Sequence, residues 1–203
     1  MGIINIREAC IMRELIEAIG KQGLGIGTDI VKVDMFLNHR IDTGLLFKLG
    51  EEFGKAFRED KPDIVLTVEA SGIAIALTTA HALGDIPVVF AKKGSTVLEN
   101  SSMATAKVYS FTHKRENVIQ VEKKYLPEGS RVLIVDDFLA DGQASYGMIS
   151  LCKQCGCTIT GVGIVIEKGF MPGGKALREA GIKLKSLAVV TGIEDGNILL
   201  SDD

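Results

Sequence analysis

The stretch Val132-Leu-Ile-Val-Asp-Asp-Phe-Leu-Ala-Asp-Gly-Gln-Ala144 ends an apolar run in two adjacent carboxylates, Asp136 and Asp137, with a small-residue turn just beyond. Ionised carboxylates only accept hydrogen bonds, so the pair suits sugar hydroxyls or a hydrated Mg²⁺. The turn runs through Ala140, Asp141, Gly142, Gln143 and Ala144 and opens a helical pattern. Backbone N–H groups at such a helix start can hold a phosphate without any basic side chain. Gly142, with no Cβ, lets the main chain come close to the ligand. A regular strand aims neighbouring side chains at opposite faces, so both acids meet one ligand only if the strand ends before them. The bland alternative is a strand exit with solvated acids and a helix cap.

Positioning such a turn requires a sheet, and the chain supplies one. Met12, Leu15, Ile16 and Ile19 recur at helical spacing, and the glycine-rich segment 21–29 ends that element. Leu45, Leu46, Leu49, Phe53, Ala56 and Phe57 mark a second amphipathic helix, closed by Pro62. Ile64–Val68 reads as a buried strand leading into a helix with Ile73, Ala76, Leu77 and Ala80. Strands follow at Val88–Ala91, Val108–Phe111, Val118–Val121, Val132–Val135, Gly161–Ile166 and Leu184–Val190. Helices are expected with Ala144, Met148, Leu151, Cys152 and Cys155 on one face, and near Lys175–Ala180. The Ser-, Thr- and Asn-rich segment Lys92–Lys107 has no period and is expected to be a long loop, a candidate lid. Strands buried on both faces and separated by helices predict an α/β fold with a parallel sheet and right-handed crossovers. In such sheets ligands gather at the carboxyl ends of the strands, where the Asp136–Ala144 turn must lie.

Composition narrows the partners. The chain has 203 residues, 46% of them apolar, with 23 basic against 26 acidic side chains and a net charge of −3. That predicts a single domain over 1–203 and gives no basic excess for nucleic acid. One local basic pair, Lys92-Lys93, sits beside a strand and suits a small anion. No apolar stretch approaches the roughly 18 residues that a membrane span needs. No leader is visible, so the four cysteines are expected to stay reduced and the compartment to be the cytoplasm.

The Val132–Ala144 stretch resembles the phosphoribosyl-diphosphate signature of type I purine phosphoribosyltransferases. Val31–His39, Val68–Ala74, Val88–Lys93, Val108–Thr112 and Gly163–Lys168 are similar, in order, to that family's xanthine-using branch. The resemblance runs from about Met12 to the C-terminus; Met1–Ile11 has no counterpart, and Met12 is an alternative start. It implies a core parallel sheet flanked by helices and a small hood over the base site, built from residues 1–40 and the C-terminal part. It implies transfer of a 5-phosphoribosyl group from phosphoribosyl diphosphate to N9 of xanthine, giving xanthosine 5′-monophosphate and diphosphate. Carried over by position, Ala140, Asp141, Gly142, Gln143 and Ala144 hold the 5′-phosphate, and Asp136 and Asp137 face the ribose hydroxyls. Val31, Asn38 and Lys168 contact xanthine. Glu69–Gly72 is the diphosphate loop, with Lys92 supplying charge nearby. Mg²⁺ accompanies phosphoribosyl diphosphate, no dedicated protein metal site is implied, and the expected assembly is a homodimer. The alternatives are an adenine or guanine enzyme with the same phosphate loop, or a phosphoribosyl-diphosphate-sensing regulator. The residues ahead of Val31 are too few for the DNA-binding domain that a regulator carries.

Two positions depart from the family pattern. Asp141 stands where the family more often has Asn, and a carboxylate beside a phosphate is unfavourable unless it points away or is paired. Ala140 occupies the place of an acid that contacts the base in hypoxanthine–guanine enzymes, so no catalytic base can be named. Other motifs are read as structural. Gly169–Ala176 fits GxxxxGK but lacks the Ser or Thr that a nucleotide-binding loop gives to Mg²⁺. Cys152, Cys155 and Cys157 read as core packing rather than a metal cluster. Gly23–Gly27 reads as a loop, and His39, His81 and His113 have no visible catalytic partner. Phe170 is a candidate to pack against the base.

Overall fold

The computed structural model describes residues 6–94, 102–110 and 115–201. In chain order it contains α1 (Ile6–Gln22), β1 (Leu24–Ile26), β2 (Ile30–Lys32), a π-helical turn (Asp34–Asn38), α2 (Thr43–Phe57), β3 (Ile64–Val68) and α3 (Gly72–Ala82). Then come β4 (Val88–Gly94), β5 (Met103–Ser110), β6 (Arg115–Glu122), β7 (Arg131–Leu139), α4 (Gln143–Gln154), β8 (Thr158–Lys168), α5 (Pro172–Glu179), β9 (Leu184–Glu194) and β10 (Asn197–Leu200).

The main sheet has the order β10-β9-β8-β7-β3-β4-β6-β5. Its centre, β9 to β4, is parallel as expected. Its margins are antiparallel: β10 on β9 at one edge, β6 on β4 and β5 on β6 at the other. The sheet is therefore mixed: β10 folds back on β9, and β6 lies antiparallel between β4 and β5.

β7 shows how sequence alternation builds two cores. Leu133 and Val135 join a cluster with Val65, Phe53 and Ile75 under α1, α2 and α3. Val132 and Ile134 join another with Leu66, Met148, Leu151 and Leu177 under α4 and α5. Each buried leucine or phenylalanine contributes about 1.5–3 kcal/mol relative to exposure, so both faces must be covered. Asp42 starts α2 by accepting a hydrogen bond from the Leu45 N–H at 3.0 Å, as N-caps do.

The long-loop expectation for Lys92–Lys107 is corrected at both ends. β4 continues to Gly94 and β5 begins at Met103. Ala104 and Val108 are buried in it, and small side chains at alternate positions give too weak a signal to read as a strand. Residues 95–101, the rest of the proposed lid, lie outside the described residues, as does His113.

Gly23–Gly27 is corrected too, because Leu24–Ile26 pairs antiparallel with Ile30–Lys32. This ribbon docks on the β9–β10 hairpin, where the Gly25 N–H donates to the Gly196 carbonyl at 3.0 Å. A Cβ on Gly25 would lie 2.4 Å from Ile193, so glycine is what permits the close approach.

Candidate active site

β3 and β7 pair only as far as Leu66↔Ile134. Beyond that point the two strands part and a cavity of about 320 Å³ opens at their carboxyl ends. This is the crevice in which ligands of parallel sheets sit. Val68, Glu69 and Ser71 line it from the β3 side, Lys93 and Tyr109 from β4 and β5. Asp136 to Ser145 line it from β7 and the start of α4.

Asp136 and Asp137 are both buried, 4% and 7% exposed. The strand does not end before them, since β7 runs to Leu139. They nonetheless share one cavity because β7 has lost its β3 neighbour there. The bland alternative of solvated acids is thereby excluded. The Asp136 carboxylate accepts from the Asp137 N–H at 3.0 Å. Burial and the neighbouring Asp137 charge push its proton affinity well above the usual carboxylate range, while the Lys93 charge opposes the shift. A Cβ on Gly72 would meet Thr67 Oγ1 at 2.0 Å and Asp136 Oδ1 at 2.9 Å. Glycine at the start of α3 is thus what lets the Glu69–Gly72 turn lie against the acids.

The Ala140–Ala144 turn is the N-terminus of α4. Gly142 has φ 87°, a left-handed conformation that glycine adopts without strain. The first amides of a helix lack intrahelical partners, and here they line the cavity. The turn is backed by α5, whose Gly173 N–H donates to the Ala140 carbonyl at 3.0 Å. A Cβ on Gly173 would sit 2.5 Å from that carbonyl oxygen and 2.6 Å from the Gly142 nitrogen. Gly173, within the Gly169–Ala176 segment, therefore supports the Ala140–Ala144 turn from behind. Glu167 holds α5 in place: it is buried, receives two bonds of 2.7 Å from Arg178 and accepts from the Ser186 hydroxyl.

None of the three positions assigned to the base is among the residues lining the cavity. Asn38, in the π-helical turn, donates through Nδ2 to Asp137 Oδ2 at 3.0 Å. Its Oδ1 is buried and accepts no hydrogen bond. Lys168, at the end of β8, donates to the Asp29 carbonyl and lies 5.9 Å from the centroid of the Phe138 ring; Phe138 lines the cavity. Burial lowers the proton affinity of Lys168, and the charges of Asp29 and Asp141 oppose that. Val31 is 7% exposed and packs in the core cluster under α1 and α2.

Asp141 Oδ1 accepts from the Gln143 N–H at 3.1 Å, and its Oδ2 is buried without a hydrogen-bond partner.

Two assignments change. Lys93, not Lys92, faces the cavity, and its N–H donates to Glu69 Oε1 at 2.6 Å. Lys92 lines a separate hollow on the other side of β4, because successive strand residues alternate. Phe170 is 39% exposed and is not among the cavity's lining residues. Sequence reasoning missed Tyr109 and Met171, which only the tertiary structure brings to the cavity.

The remaining candidates prove structural. Cys152 and Cys155 are buried, and burial pushes the Cys152 thiol up to about 12. No group of three or more metal-ligating side chains occurs among the described residues. His81 pairs with Asp85, and His39 closes the π-helical turn through its N–H to the Asp34 carbonyl. No helix of the described residues is long and apolar enough to cross a membrane.

The phosphoribosyl transferase domain model matches residues 41–183. A xanthine phosphoribosyltransferase of Bacillus cytotoxicus is 46% identical over 187 residues, covering 92% of this chain and 94% of that protein. One from Oceanobacillus iheyensis is 45% identical over 192 residues, covering 95% and 98%. One from Clostridioides difficile is 46% identical over 187 residues, covering 92% and 98%. Among solved structures, an adenine phosphoribosyltransferase from Rhodothermus marinus superposes with a TM-score of 0.71 at 21% identity, covering 90% of this chain and 99% of that one. The family model spans the whole of the β3–β7 crevice and its amide-lined turn, and with the relatives it shows that the chain belongs to the phosphoribosyltransferase family.

Proposed function

We propose that the chain transfers the 5-phosphoribosyl group of phosphoribosyl diphosphate to N9 of xanthine, releasing xanthosine 5′-monophosphate and diphosphate, in purine salvage. One observation carries this reading. Two buried carboxylates share a cavity with the N-terminus of α4, a pairing that fits a sugar with a phosphate at one end. The relatives named xanthine phosphoribosyltransferase support the choice of base.

In this reading the amides of Ala140 to Ala144 hold the 5′-phosphate. Asp136 and Asp137 take the ribose hydroxyls. The Glu69–Gly72 turn and Lys93 receive the diphosphate, whose negative charge grows as the C1′–O bond breaks. Preorganised amides and a cation aimed at that charge stabilise the transition state without reorganising. Asn38 and Lys168 meet the base edge, and Val31 closes the pocket behind it, under a hood formed by the β1–β2 ribbon and the β9–β10 hairpin. An unmatched polar group costs about 1–3 kcal/mol, enough for an amide and an ammonium to select among oxopurines.

Mg²⁺ carried in by the diphosphate would meet carboxylate oxygens in the crevice, where Asp136, Asp137 and Glu69 line one cavity without forming a preassembled ligand cluster. The ion would neutralise the leaving group. A cytoplasmic homodimer is part of the proposal. Phe47, Leu77 and Phe90, all more than a third exposed, offer apolar surface for pairing.

Initial rates with phosphoribosyl diphosphate and a panel of xanthine, guanine, hypoxanthine and adenine test the assignment. Xanthine is expected to have the highest kcat/KM. Equal or better turnover of any other base would overturn the substrate, and absence of turnover with every base would overturn the enzyme reading.

A further inference from the structure

β4 outruns the strand beside it. Its pairing with β3 ends at Val68↔Ala91, yet β4 continues to Gly94. In a parallel ladder, alternate residues of one strand donate an N–H to the partner strand and accept one back through their carbonyls. Val65 donates to the Pro87 carbonyl at 3.0 Å and Glu69 to the Ala91 carbonyl at 3.1 Å. The next rung in that sequence would run from the Lys93 N–H to the Glu69 main-chain carbonyl. It runs to the side chain instead, to Glu69 Oε1 at 2.6 Å.

That replacement frees the main chain to leave the sheet. With the carboxylate filling the rung, the backbone turns at Glu69 and enters α3 at Gly72. Within the turn the Ile73 N–H donates to the Ala70 carbonyl at 3.2 Å. Its far side rests against β7, where a Cβ on Gly72 would stand 2.9 Å from Asp136 Oδ1. Backbone donors are rarely left without a partner, so a chain that departs here needs another acceptor for Lys93. Glu69 and Lys93 both line the cavity. An acid beside a site for diphosphate repels its ligand, and the missing rung gives the acid a reason to be there.

We infer that Glu69 is a positioning residue: its carboxylate stands in for a ladder carbonyl, fixing the Lys93 backbone so that the lysine and the Glu69–Gly72 turn face one diphosphate. The inference rests on the phosphoribosyl-transfer reading above. It makes the acceptor oxygen, rather than the charge, the property that matters at this position.

Two variants separate oxygen from charge. Glu69→Gln keeps an acceptor and removes the charge, whereas Glu69→Met keeps the length and removes both. Amide exchange at Lys93, followed by NMR in the free protein, is expected to stay slow in Glu69→Gln and to quicken at least about 10-fold in Glu69→Met. Calorimetry with metal-free inorganic diphosphate and, separately, ribose 5-phosphate reads the consequence. Glu69→Met is expected to bind diphosphate about 10-fold more weakly and ribose 5-phosphate within about 2-fold of the wild type. Glu69→Gln should bind diphosphate at least as tightly as the wild type, because the acceptor stays and the repulsion goes. Lys93 exchange that is alike in all three proteins would overturn the role of Glu69. So would a glutamine variant that behaves as the methionine one does, or a methionine variant that leaves diphosphate binding intact or weakens both ligands equally. A wild type that binds neither ligand and turns over no base would instead overturn the reading beneath, while Lys93 exchange would still decide the rung.

Discussion

The side-chain amide of Asn38 donates to the carboxylate of Asp137 at 3.0 Å, joining the π-helical turn that precedes α2 to the end of β7. The bond uses one of the amide's two N–H donors on the acid and leaves Oδ1 as a buried, unfilled acceptor. One side chain thus connects a carboxylate proposed to take a ribose hydroxyl to the side of the cavity proposed for the base. Asn38→Asp would replace that bond with two carboxylates at contact distance. We expect kcat/KM for xanthine to fall at least about 10-fold, with Asn38→Ala less affected, measured by initial rates.

The paired acids should be needed for turnover and costly for stability. Asp136→Asn combined with Asp137→Asn is expected to lower kcat by at least about 100-fold while far-UV circular dichroism stays unchanged. Asp136 alone gives the sign of the stability effect. Its folded-state proton affinity is raised, so the stability it contributes is full below its unfolded value and is lost as pH rises through the folded one. As pH rises, the melting temperature of Asp136→Asn should therefore gain on that of the wild type. A difference between the two that does not change with pH would contradict the raised proton affinity of Asp136.

Gly173→Ala tests whether α5 shapes the phosphate turn. The added methyl would stand 2.5 Å from the Ala140 carbonyl oxygen, a backbone atom that cannot swing aside. The turn must shift, and displaced amides hold a phosphate less well. The KM for phosphoribosyl diphosphate is expected to rise on the order of 10-fold, with a smaller effect on the KM for xanthine.

Arg178→Met leaves Glu167 buried without its ion pair. Because Arg178 is half exposed, losing its charged hydrogen bonds to the buried acid should cost about 1.5–3 kcal/mol, read by urea denaturation. Hydrogen bonds from Arg178 and Ser186 outweigh burial and hold the Glu167 carboxyl below its ordinary value. Its contribution is therefore present above the unfolded value, about 4.3, and is lost as pH falls through the folded one. The stability gap between wild type and variant should narrow in acid, and a gap independent of pH would argue against an ionised Glu167.

Much of this was legible before any coordinates. Val132–Val135 and Ile64–Val68 are continuous apolar runs, which only strands covered on both faces require, so the parallel centre of the sheet could be read directly. The Asp136–Ala144 turn was legible for a related reason: its helix start, glycine and acids lie together in the chain, and local chemistry is written locally. The first part of β5 was not, because Met103–Lys107 alternates small and polar residues whose burial depends on a hairpin partner, whereas Val108 onward read as a strand. Which lysine faces the cavity turned on the face that β4 presents, and a run of two lysines contains no such information.

The amino-acid order by itself determined the class of ligand and the side chains offered to it, since acceptors, amides and glycine act over a few residues. The tertiary structure alone decided which of them meet. It parted β3 from β7, buried Asp136 and Asp137 in one crevice and tied Asn38 to Asp137. Those pairings depend on distances between segments far apart in the chain, and packing of the two cores fixes such distances.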